Sequence, residues 1–166
     1  MKLKLLTLLI VASAFSSYAS ALEVKLLDSA WNGIKVPEGQ QCQKFGGNNP
    51  ASPKLLITAI PEGSSNILLE YSDRDSAGMN NGGHGRMSYS ISTTSKAAVI
   101  PSVPGHTFEM PDKFTMVEAH RGPGWDKAGA YMPPCSGGKD HAYYVTIKAM
   151  SGDDVTAETV LEIGKY

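Results

Sequence analysis

The stretch YMPPCSGGKDHAYYVTIKA, residues 131–149, gathers a Pro-Pro pair, a cysteine, a Ser-Gly-Gly turn and a histidine. If the run that follows is extended, His141, Tyr143, Val145, Ile147 and Ala149 share one face, because side chains alternate across a strand. An imidazole and a phenol then stand at the mouth of an otherwise apolar row. Ser136 and Gly137, in the turn beside them, can present backbone N–H groups to an anion. A second row, Ile67, Leu69, Tyr71 and Asp73, ends in a carboxylate, with Asp75 two residues on. These groups suit an anion pocket. His141 and Tyr143 would donate hydrogen bonds, and Asp73 or Asp75 would orient His84 or His141. Imidazoles with the ordinary pKa of about 6.5 would hold an anion more tightly in mild acid.

Two other chemistries are weaker. His and Asp together suit zinc or copper, and seven methionines invite copper. Yet no two of His84, His106, His120 and His141 have close ligand spacing, and methionines in strands usually fill cores. No metal or other cofactor is therefore expected. A hydrolase would need a nucleophile and a base. Ser136 near His141 has the residue types, but PPCSGG is not the strand-to-helix elbow that exposes a nucleophilic serine. The reading is binding, not catalysis.

The elements that must position these groups are short. Strands are predicted over residues 24–27, 54–59, 66–72, 86–94, 97–100, 107–110, 115–120, 142–149 and 159–163. Gly-rich loops fill residues 75–85 and 120–130, and no amphipathic helix is evident. Short strands with Gly/Pro turns and no βα alternation predict an all-β fold, an antiparallel β-sandwich. His84 is out of step with Met87, Tyr89 and Ile91, so it reaches the same pocket only through a bulge at Gly83 or Gly85.

Residues 1–21 have the form of an export signal: Lys2 and Lys4, an apolar run from Leu5 to Val11, then Ala19-Ser20-Ala21. The run is too short to span a bilayer, which takes about 20 residues. Residues 22–166 would then form a single periplasmic or secreted domain, with no transmembrane segment after signal removal. Losing Lys2 and Lys4 leaves 13 basic against 16 acidic residues, and the basic ones are scattered. Nucleic acid and anionic membrane surfaces are poor partners for such a chain. Cys42 and Cys135 both lie in the exported part, where an even count favours a disulfide over two free buried thiols.

In their order and spacing these motifs resemble the phosphatidylethanolamine-binding protein family, in its bacterial Raf-kinase-inhibitor-like branch. LLDSAWNGIKVPEGQQC followed by SPKLLITAIPEGSSNILLEYSDRD is similar to the family's opening, which ends in Asp-x-Asp. His84 falls where the first histidine is expected, and PPCSGGKDHAYYV looks like the second motif, a proline-rich turn before His-x-Tyr. The resemblance implies a β-sandwich whose cavity is lined by Asp73, Asp75, His84, His141 and Tyr143, with Pro134 and the turn after it closing one side. It also implies a small anion or phospholipid head group as ligand. Arg74 and Gly85 stand where the family usually has a proline and a large residue. The C-terminal segment is too short for the family's usual helix, which predicts a more open site. The alternative is a protein-interaction module or an inhibitor of an exported or host protein.

Overall fold

A computed structural model describes residues 21–166. The predicted signal therefore lies, apart from Ala21, outside the described residues. Among the described residues there are eight strands: β1 Glu23–Leu26, β2 Leu55–Thr58, β3 Asn66–Asp73, β4 Arg86–Ser90, β5 Ala97–Ile100, β6 Phe114–Glu118, β7 Ala142–Ser151 and β8 Asp154–Lys165. They form two antiparallel sheets, one of order β1-β2-β5 and one of order β6-β4-β3-β7-β8. Among the described residues there is no α-helix, and a 3-10 turn spans Gln43–Phe45. No helix there is long and apolar enough to cross a membrane.

The predicted alternation accounts for the core. Ile67, Leu69 and Tyr71 of β3 and Val145, Ile147 and Ala149 of β7 point inward, all at most 1% exposed. They meet Leu55, Ile57 and Ile100 of the smaller sheet in one apolar cluster, the filling of a sandwich. At the upper end of the β3–β7 ladder Asp73 pairs directly with Tyr143. The two polar tips foreseen in separate rows are thus side by side.

Three predicted elements change. Residues 107–110 are not a strand. Pro104 and Pro111 bracket them, proline cannot donate to a ladder, and Thr107 bonds the loop at Ala130 instead. The strand predicted over residues 86–94 stops at Ser90, and that predicted over 159–163 is the middle of β8. β8 turns back from β7 through Gly152 (φ 59°) and occupies the place where the C-terminal segment could have been helical.

Cys42 and Cys135 are joined by a disulfide across 93 residues, with Cα atoms 5.2 Å apart. The Cys42 N–H also bonds the Pro134 carbonyl at 2.9 Å. Bridge and hydrogen bond together pin the 3-10 turn to the loop that precedes β7.

Candidate functional site

At the end of the sandwich where β3 and β7 finish, the loops 75–85, 120–130 and 131–141 converge on a cleft of ≈ 270 Å³. Of the residues expected there, Asp73, His84, Ser136 and His141 line it.

His84 arrives by the expected bulge. The Tyr71 N–H bonds the Gly85 carbonyl, and the His84 N–H bonds the Tyr71 carbonyl, so two residues of the loop face one residue of β3. Gly85 has φ 118°, a left-handed conformation, and a Cβ there would fall 2.1 Å from the Ala130 carbonyl oxygen. Only glycine fits. The extra residue turns His84 onto the inward face, where its ring meets Tyr143 edge to face at 5.3 Å.

Two hydrogen bonds decide what the imidazoles offer. His84 Nδ1 lies 2.7 Å from the Met132 carbonyl oxygen, which can only accept, so Nδ1 carries the proton and Nε2 is a bare acceptor. Burial pushes the His84 pKa down from 6.5 to about 4, against the opposing pull of the Met132 carbonyl and Asp73. His84 therefore stays neutral in mild acid, contrary to the expectation of ordinary imidazoles. His141 Nδ1 lies 2.8 Å from Asp73 Oδ2, and the Asp73 side chain is only 5% exposed. That carboxylate orients the ring and leaves the His141 Nε2 as its free nitrogen.

The other expected residues are placed differently. Tyr143 is buried beneath the cleft, and its hydroxyl accepts the Cys135 N–H at 3.0 Å. Burial raises its pKa, so the hydroxyl keeps its proton, with Ser136 and Asp73 of the cleft as its neighbours. Asp75 is exposed and accepts the Ala142 N–H at 2.7 Å, which caps the start of β7. Pro134 lies behind the cleft beside Tyr71, Ser72 and His84. Gly137 (φ 73°) packs on Phe45. The Ser136 hydroxyl bonds the Tyr166 carbonyl. The same carbonyl accepts the His141 N–H at 2.9 Å, so the end of β8, and no helix, flanks this side of the cleft.

Six lining residues were not foreseen as such: Ser76, Met79, Trp125, Met132, Lys139 and the disulfide-bonded Cys135. Trp125 is half exposed, and its indole N–H donates to the Cys135 carbonyl at 3.1 Å. Lys44 sits on its ring, 3.3 Å from the centroid. A tryptophan set among glycines in a loop was the available signal. The two histidines left over, His106 and His120, are buried near by but engaged. His106 Nε2 accepts the Gln43 N–H at 3.1 Å, and His120 binds the Lys127 carbonyl at 3.1 Å and the Gly122 N–H at 3.2 Å.

This architecture has solved counterparts. A phosphatidylethanolamine-binding protein homologue from Chlamydia trachomatis, CT736, superposes with a TM-score of 0.54 at 17% identity, covering 88% of this chain and 97% of that one. YbcL of E. coli, described as a member of the mammalian PEBP family, superposes with a TM-score of 0.54 at 19% identity, covering 89% and 98%. The chain has the phosphatidylethanolamine-binding protein fold. No protein-family model matches the sequence, and no curated protein matches it. The likeness is therefore one of fold, carried at low identity. Within this fold the loops above the β3–β7 ladder build the cleft.

Proposed function

We propose that this is an exported binding protein, acting without catalysis, whose cleft takes a small phosphate-bearing anion or the head group of a phospholipid. The observation that carries the reading is the convergence of His84, His141 and the Asp73 carboxylate in one cleft with Lys139 at its rim. The ≈ 270 Å³ volume lies at the lower edge of ordinary ligand pockets, roughly 300–1,000 Å³, which suits a head group better than an acyl chain. Lys139 and Ser76 would donate to the ionised oxygens. The bare Nε2 of His84 needs a proton from the ligand, so a monoprotonated phosphate matches it better than a fully ionised one. Asp73 would repel an anion were its Oδ2 not engaged by His141 Nδ1, which sets the imidazole against the carboxylate's charge. The phosphatidylethanolamine-binding names of the two structural neighbours agree with this reading.

Calorimetric titration of inorganic phosphate and of phosphoethanolamine into the mature protein is the test, with His141→Ala and Lys139→Ala as comparisons. The expected result is a binding heat that drops at least tenfold in affinity in both variants. Equal heats from all three proteins would sink the reading.

A further inference from the structure

We propose that the cleft also holds one soft univalent metal ion, Cu⁺, between the Nε2 atoms of His84 and His141 and the thioether sulfurs of Met79 and Met132. All four residues line the same cavity. The two imidazoles are prepared alike. One Nδ1 is engaged by the Met132 carbonyl at 2.7 Å, the other by the Asp73 carboxylate at 2.8 Å. Fixing Nδ1 in this way selects the tautomer whose Nε2 is the free ligand nitrogen, the arrangement that orients metal-binding histidines generally. The spacing absent from the sequence is supplied by the fold, which brings residues 57 positions apart to one cavity.

The thioethers are what make the site soft. A Cβ placed on Gly122 would meet Met132 Sδ at 3.0 Å and Cε at 3.4 Å, and Met79 Cε at 3.5 Å, so the two side chains end against the same spot. They pack with the disulfide in a small sulfur-rich cluster separate from the main core. Methionine in a core needs no such location, since it fills irregular gaps anywhere. Here both methionines line the same cavity as the two imidazoles. Two neutral thioethers beside two imidazoles favour soft Cu⁺ over Mg²⁺, Ca²⁺ or Mn²⁺, which prefer carboxylate, carbonyl and water oxygens. Asp73, held 2.8 Å from His141 Nδ1, sets a carboxylate beside the site.

This inference shares His84 and His141 with the anion reading and differs in the methionines, which offer nothing to a phosphate. Ag⁺ is the probe, added as nitrate in chloride-free buffer; it has the same charge and closed shell as Cu⁺ and needs no reductant that would open the disulfide. The protein carries ¹³C-methyl methionine. One Ag⁺ per chain should remain after desalting, and the ε-methyl signals of Met79 and Met132 should move while that of core Met87 stays. His84→Gln and the pair Met79→Leu/Met132→Leu should each weaken Ag⁺ at least tenfold, with Met87→Leu unchanged. Leucine conserves volume, and an unaltered amide spectrum certifies the fold of each variant. The proposal is overturned if the double leucine variant binds Ag⁺ like the parent, or if only exposed methionines shift. Phosphate titration of that same variant separates the two readings: retained phosphate with lost Ag⁺ supports both, and lack of phosphate binding by the parent with Ag⁺ bound removes the anion reading alone.

Discussion

Removing the Cys42–Cys135 bridge should cost far more than its two sulfurs suggest. The bridge closes a loop of 93 residues. In the chain-entropy model, cross-linking a loop of that length withdraws about 4–5 kcal/mol of disorder from the unfolded chain. For a domain of this size the corresponding fall in melting temperature is roughly 15 °C. A second, local effect accompanies it. The bridge fastens the 3-10 turn, and Phe45 in that turn lies 6.3 Å from the Trp125 ring that borders the cleft. Urea unfolding of the oxidised protein, the dithiothreitol-reduced protein and Cys42→Ala/Cys135→Ala separates the contributions. Reduction keeps the sulfurs and their packing, so its loss measures the cross-link. The double alanine variant adds the cost of the vacated space at Cys42, which is fully buried. The urea m-value should rise on reduction, because the unfolded chain expands. Amide exchange in residues 42–47 should accelerate more than exchange in β3. A reduced protein within about 1 kcal/mol of the oxidised one would refute the cross-link estimate, and unchanged exchange at residues 42–47 would refute the local one.

Three further outcomes are expected. Burial holds His84 at about 4 instead of 6.5, so between those values the unfolded chain binds a proton that the folded chain refuses. Stability should therefore fall as pH drops through that window, by up to about 3 kcal/mol at pH 4, and His84→Gln should flatten this part of the urea-midpoint profile; an equally steep profile in the variant would contradict the assignment. Gly85→Ala forces a Cβ against the Ala130 carbonyl at a left-handed φ, and should cost at least about 3 kcal/mol in denaturant unfolding; an unchanged midpoint would mean that the bulge is not the one described. Tyr143→Phe leaves the buried Cys135 N–H without its acceptor and should cost about 1–2 kcal/mol while phosphate affinity holds; a lost phosphate heat in a stable variant would restore Tyr143 to the ligand set.

The sandwich was legible because its strands alternate, and alternation follows from the pleat alone. The apolar rows of β3 and β7 end in Asp73 and His141, and the ladder sets those ends together. The bulge was legible too, as a conflict of parity between His84 and Met87. Depth was not legible. Parity places Tyr143 on the inward face, but whether its hydroxyl opens to the cleft or meets the Cys135 N–H depends on the path of the 131–141 loop. Loop residues escaped for the same reason: Met79, Trp125, Met132 and Lys139 obey no period, and only the packed loops bring them to one place. Residues 107–110, Thr-Phe-Glu-Met, misled because a short alternating run between prolines looks like a strand until its donors are counted.

The pairing of β3 with β7 also has a history in time. The centre of the larger sheet joins Ile67 to Ala149, so β3, which can pair early with β4, cannot find β7 until about 80 further residues have been made. At roughly 5–20 residues per second that delay is about 4–16 seconds. Cys42 waits through a comparable interval for Cys135. With only two cysteines in the chain no wrong internal bridge can form while it waits. The hazard of assembly is a neighbouring molecule's thiol or strand edge, and it ends when the last quarter of the polypeptide arrives to complete sheet, bridge and cleft together.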